Sequence, residues 1–193
     1  MNRREAIKKA TALLGVPISL PLINAVLSKS YPSATAELRT LSANQDRLVT
    51  MIAERIIPTT DTPGATDAKV NMFIDLMLTE WYPPKDRTRF LEGLEQLDGT
   101  FRGRHQQAFV EGSEQNQMRL LHELDAEAMK VRVQGRTPTF FAMMKELTLV
   151  GYYTSQIGML QELQFQPATS EYKGCIELED VDNKTWARLR HKI

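Results

Sequence analysis

Val70, Phe73, Ile74, Met77, Leu78 and Trp81 fall at i, i+3, i+4, i+7, i+8 and i+11, and this stripe does most to limit what the chain can become. The spacing puts all six on one side of an α-helix. A face that apolar must be buried against other elements. Asp67 is the expected cap of this helix, and Tyr82-Pro83-Pro84 its end. The segment before it repeats the period with Leu48, Met51, Ile52 and Ile56, opened by a capping box of Ser42 and Gln45. Three more helices are expected downstream. One runs from about Pro84 to Leu97, with Phe90, Leu91, Leu94 and Leu97 inward and a break at Gly99 and Gly103. Phe109 and Val110 suit a short turn on the core. Ser113 caps the next helix, which carries Met118, Leu121 and Leu124 to about Met129. Pro138 suits the first position of another, over about 138–153, and a short helix follows from Ser155 to about Leu163.

Beyond Pro167 the period is lost. Residues 167–193 read as an extended segment, with a terminal helix over 183–193 carrying Trp186 and Leu189. No strand pair is evident. The expected fold is all-α: a bundle of five or six helices over 37–166 with an irregular C-terminal segment.

Between the first two stripes lies Ile57-Pro58-Thr59-Thr60-Asp61-Thr62-Pro63-Gly64-Ala65. Pro58 cannot continue a helix and biases Ile57 out of helical backbone. Asp61 and Thr62 can bond back to nearby N–H groups. Pro63-Gly64 fits the centre of a type II turn, which predicts positive φ at Gly64. Periodicity alone makes the stretch a helix–helix linker.

Residues 1–36 read as an export signal. Arg3-Arg4 precedes an apolar run over 10–27, and Ala34-Thr35-Ala36 supplies a small-x-small cleavage site. The arginine pair resembles a twin-arginine signal, read by the export machinery as an address. Asn2 before the pair and Glu5-Ala6 after it depart from the usual pattern. Retention as a membrane anchor is the competing reading. Gly15, Pro17 and Pro21 interrupt the run, where a spanning helix needs about 20 apolar residues together. The leader holds five basic residues and one acidic, leaving 19 basic and 23 acidic beyond it. A mildly acidic domain lacks the basic face of a nucleic-acid binder.

Chemistry-bearing motifs are few. The glycines lie singly, without a dinucleotide or phosphate-loop fingerprint. Arg102, Arg119 and Arg188 stand three residues before His105, His122 and His191, where a di-iron bundle would need Glu. A single cysteine, Cys175, excludes an internal disulfide and a cysteine-built metal site within one chain. After export it would meet an oxidising compartment, so an intersubunit disulfide is expected, against the alternative of a small buried thiol. Tyr152, Tyr153 and Tyr172 are candidate partner contacts, because tyrosine buries a large area and keeps a polar tip. In the adjacent pairs Trp81-Tyr82 and Tyr152-Tyr153, one member of each is expected to point away from the core.

Two ordered blocks carry a family resemblance. AERIIPTTDTPGATDAKVNMFIDLML (53–78), with Pro58, Asp61, Pro63, Gly64 and Ala65 at its loop, resembles the opening of the gluconate 2-dehydrogenase subunit 3 family. LTLVGYYTSQIGM (147–159) followed by EYKGC (171–175) resembles its later part. The resemblance implies a small, non-catalytic subunit of a flavin-dependent sugar or sugar-acid dehydrogenase. Such subunits pair with a large FAD-containing subunit of the glucose–methanol–choline oxidoreductase type, often with a haem-bearing cytochrome c subunit at the membrane. They are thought to carry the export signal for the folded flavoprotein, which places the complex in the periplasm at the inner membrane. No catalytic, cofactor-binding or metal residue is then expected in this chain. A free-standing periplasmic helical binding module, without a dehydrogenase, is the alternative.

Overall fold

The computed structural model describes residues 37–165, Glu177 and the pair 186–187. The first helix, α1, spans Ala43–Ile56 and opens with the expected reciprocal cap. Ser42 Oγ accepts from the Gln45 N–H, and Gln45 Oε1 accepts from the Ser42 N–H. Leu48, Val49, Ile52 and Ala53 are buried, so the inward face is turned slightly from the stripe, and Met51 and Ile56 sit at its edge.

α2 spans Val70–Glu80 and buries Val70, Ile74 and Leu78. Two expectations fail at its ends. Asp67 does not cap it. The residue before Val70 is Lys69, in left-handed backbone at φ 53°, with no side-chain cap. Trp81 leaves the helical stripe and stands 77% exposed, because regular helix stops at Glu80 and Pro83-Pro84 redirects the chain.

α3 runs Pro84–His105, straight through Gly99 and Gly103. A Cβ at either glycine would meet open space, so each costs only helix propensity. Phe90, Leu94, Leu97 and Phe101 hold the opposite face in the core, and that burial outweighs two exposed glycines. The true stop is Gln106 at φ 57°. A single 3-10 turn, Phe109–Glu111, then seats Phe109 against Phe101 in an edge-on pair at 5.2 Å.

α4 spans Glu114–Val133 behind its Ser113 cap, longer than its apolar pattern suggests. Gly135 at φ 64° lies just beyond its end. α5 spans Phe140–Thr154. Thr139, not Pro138, sets its start, because Thr139 Oγ1 accepts from the Ala142 N–H at 3.2 Å. A π-helical turn, Gly158–Glu162, follows in place of the expected short helix. Two-residue strands β1 (Gln164–Phe165) and β2 (Trp186–Ala187) then pair in parallel. Trp186 is therefore extended, where a terminal helix was expected.

The architecture is an all-α bundle organised on α5, which packs against each of the other four α-helices. Its inward face is Phe140, Phe141, Met143, Met144, Leu147, Thr148, Gly151 and Tyr152. Small residues set the closest approaches. Phe140 lies over Gly93 of α3, and Phe73 of α2 lies over Gly151. Phe90, in the second turn of α3, and Phe140, the first residue of α5, meet edge-on at 5.2 Å.

One buried carboxylate anchors the chain's approach to α1. Asp75 of α2 is 3% exposed and accepts from three successive backbone N–H groups, Arg39, Thr40 and Leu41, at 2.8–2.9 Å. Arg39 also pairs with Glu80. Asp75→Ala leaves those three donors without their acceptor. It should lower unfolding stability by roughly 2–4 kcal/mol, read from urea midpoints. A variant within ~0.5 kcal/mol of wild type would show the anchor to be dispensable.

Candidate partner-binding face

The stretch between α1 and α2 is held far more tightly than a linker needs. Glu54, in the last turn of α1, gathers it. Its Oε1 accepts from the Thr59 N–H and the Thr59 hydroxyl, both at 2.9 Å, and its Oε2 accepts from the Thr66 N–H at 2.9 Å. Thr59 Oγ1 in turn accepts from the Gly64 N–H at 3.1 Å. The Ala65 N–H reaches back to the Ile57 carbonyl at 3.0 Å, which closes the base of the loop. Burial works to raise the Glu54 pKa, but hydrogen bonds from Thr66 and Thr59 outweigh it and hold the carboxyl below its ordinary value.

The type II turn is not formed. Gly64 does not have positive φ, and the Ala65 N–H bonds to Ile57 rather than to Thr62. Glycine is required at 64 for closeness instead. A Cβ there would stand 2.6 Å from Glu54 Oε1 and from the Thr59 nitrogen.

The far side of the loop is fastened to α5 and its extension. Tyr152 is almost fully buried and its hydroxyl donates to the Pro63 carbonyl at 2.7 Å. Thr62 Oγ1 donates to Glu162 at 2.7 Å, across 100 residues of sequence. Burial pushes the Tyr152 phenol up; Thr62 opposes that and Glu162 adds to it, so the hydroxyl keeps its proton as a donor. The two blocks that carried the family resemblance in the sequence, 53–78 and 147–159, are thus joined at three places: Pro63 to Tyr152, Thr62 to Glu162 just beyond the second block, and Phe73 to Gly151.

Outside these fastenings lies exposed apolar surface. The outward side of α5 carries Lys145 and Glu146 in its first half, and beyond them Leu149, Val150 and Tyr153 point out opposite its buried face. Leu160 adds to it on the π-helical turn, and Leu76 on α2 lies one turn from Phe73. A helix segment apolar on both sides is normally covered on both. The loop supplies a polar margin through exposed Pro58, Thr59, Thr60 and Asp61. This surface can bury area against a partner around a rigid polar rim.

The predicted site residues divide clearly. Pro58 and Asp61 are exposed, Pro63 is half-buried, and Gly64 and Ala65 are buried as the loop's floor. Of the tyrosines, Tyr153 is exposed and fits a contact role, while Tyr152 is withdrawn from it by its bond to Pro63. Arg3, Arg4, Ala34, Ala36, Tyr172 and Cys175 lie outside the described residues. Glu54 was not singled out from sequence. Its signal is an acid in the last turn of α1, where the helix dipole disfavours negative charge. Among the described residues, no group of three His, Cys, Asp or Glu is placed to hold a metal ion.

A family model described as Gluconate 2-dehydrogenase subunit 3 matches residues 43–170, about two thirds of the chain. It covers the loop, α1 to α5 and the π-helical turn. No curated protein and no solved structure gives a significant match.

Two measurements test the loop. Gly64→Ala forces a Cβ against the Thr59 backbone and should cost roughly 1–3 kcal/mol in urea unfolding; an unchanged midpoint would return the stretch to a plain linker. Glu54→Gln keeps the shape and loses the charge. Because the folded carboxyl binds its proton less tightly than the unfolded one, its stabilisation is full above the unfolded pKa. It is lost as pH falls through the lower folded value. The stability gap between wild type and Glu54→Gln should be present at ~pH 7 and close towards ~pH 3. A gap independent of pH would mean that the charge does not matter.

Proposed function

This chain belongs to the gluconate 2-dehydrogenase subunit 3 family, and on that premise we propose that it is a non-catalytic small subunit that binds and escorts a FAD-containing dehydrogenase. The family's own description makes it one subunit of a complex, so some face of the chain is built to be covered. The observation that carries the reading is the outward face of α5. Leu149, Val150 and Tyr153 lie exposed within the second family-like block and adjoin a loop from the first. The flavin and the sugar or sugar-acid chemistry sit in the large subunit, of the glucose–methanol–choline oxidoreductase type, with a cytochrome c subunit as electron carrier. The complex works in the periplasm at the inner membrane.

The escort role follows from compartment chemistry. A flavoprotein loaded with FAD in the cytoplasm must cross folded, and one twin-arginine leader on its partner serves both chains. Cys175 then forms the intersubunit disulfide in the oxidising compartment.

Coexpression with a FAD-containing large subunit of the glucose–methanol–choline oxidoreductase type is the direct test. The large subunit should copurify with wild type. It should be lost with the pair Val150→Glu and Tyr153→Glu, while the variant keeps its helical content and melting temperature. Copurification that survives both charges would move the interface off α5. Replacing Arg3 and Arg4 by Lys keeps charge and removes the planar fork, so both chains should stay in the cytoplasm. Normal periplasmic levels of both would sink the escort role. On non-reducing electrophoresis a band at the summed mass should vanish with Cys175→Ser; separate bands in wild type would remove the disulfide.

A further inference from the structure

We propose that the end of the bundle opposite the loop is a docking surface for an anionic lipid bilayer. Two connections meet at this end: residues 81–83 between α2 and α3, and 134–139 between α4 and α5. Phe140, the first residue of α5, packs on Phe90 and Gly93 of α3, and each connection leads into one of these two helices. The α5 end that holds the loop through Tyr152 is the other one.

Three large apolar side chains protrude here. Val133 is 85% exposed, Trp81 77% and Met129 55%, the three most exposed large apolar residues described. Trp81 follows the end of α2, and Met129 and Val133 lie one turn apart at the end of α4.

Charge is concentrated around them. Residues 80–89 and 127–138 hold six cations against three acids, in a chain whose formal charge is zero. Two of the acids are already engaged, Glu80 by Arg39 and Asp86 by Arg89. Lys85, Arg87, Lys130, Arg132 and Arg136 make no ion pair among the described residues.

This combination fits a bilayer surface better than a protein face. Cations near an anionic leaflet are each attracted, and a tryptophan settles at the headgroup level. Separate prongs suit a fluid surface that admits each one locally, whereas a protein partner would need matched pockets for all three. No helix among the described residues is long and apolar enough to cross a membrane, and the proposed contact is one of the bundle's surface. It does not rest on the escort role.

The full chain is sedimented with vesicles of phosphatidylglycerol and phosphatidylcholine, or of phosphatidylcholine alone. The leader is present in every variant, so differences report the bundle. Wild type should bind the anionic vesicles more strongly. Replacing Lys85, Arg87, Lys130 and Arg132 by Gln should lower that binding by about tenfold or more. Replacing Lys69 and Arg119, exposed cations away from this end, should change it little. Emission should shift to the blue on anionic vesicles, and Trp81→Phe should remove the shift. Equal sedimentation of the four-cation variant and wild type would overturn the proposal, as would an undiminished shift in Trp81→Phe. Loss of a copurifying protein in that variant, with vesicle binding intact, would reassign the surface to an acidic protein partner.

Discussion

The bundle depends on the burial of α5. Four helices rest on it, and its inner face combines Phe140, Phe141, Met143, Met144 and Leu147 with two small contacts, Thr148 and Gly151. Burying side chains of this size is worth about 1.5–3 kcal/mol each, so the helix is fixed in rotation about its own axis. That rotation decides which tyrosine of the 152–153 pair faces in. Tyr152 is drawn inward to the Pro63 carbonyl, and Tyr153 is left outside beside Val150. The position of the loop and the makeup of the outer face follow from one packing choice.

The loop converts that choice into a rigid margin. Two of its backbone donors, at Thr59 and Thr66, converge on a single carboxylate, Glu54, while Ala65 closes the base on the Ile57 carbonyl. A charged acceptor holding several donors is stronger than neutral bonds of the same number. The chain also avoids a conformational penalty at Gly64 by using closeness instead of unusual φ. The loop is thus preorganised, which reduces the ordering cost any partner would have to meet.

What the sequence revealed follows the range of its signals. Helices were legible wherever a stripe and a local cap coincided, as at Ser42 with Gln45 and at Ser113. They were misread where tertiary burial overrode local preference. Gly99 and Gly103 looked like a break, but Phe101 between them is buried and carries α3 onward. Trp81 fitted the stripe of α2 by spacing alone, and spacing does not show that regular helix stops at Glu80. Of the tyrosine pair, residue type alone did not show which one is exposed: Tyr153 is, while Tyr152 is buried on an acceptor 89 residues away. Asp75 and Glu54 gave even less, since their donors are backbone N–H groups that any sequence supplies.

The geometry also bears on how one small domain can serve two contacts. The loop margin and Tyr153 lie at the C-terminal end of α5, while the proposed bilayer surface is built on the connections that lead into α3 and into the N-terminal end of α5. A 15-residue helix separates them by about 22 Å. That exceeds the Debye length of ~8 Å at physiological salt, so the cationic end does not reach the partner face through its field. The two surfaces also differ in kind. One is an apolar helix side with a polar rim held by hydrogen bonds, suited to a fixed protein shape. The other is a set of charged and apolar prongs at chain turns, suited to a surface without fixed shape. A protein held at one end and a bilayer at the other would leave the packed core between them unchanged, because neither contact requires α5 to move.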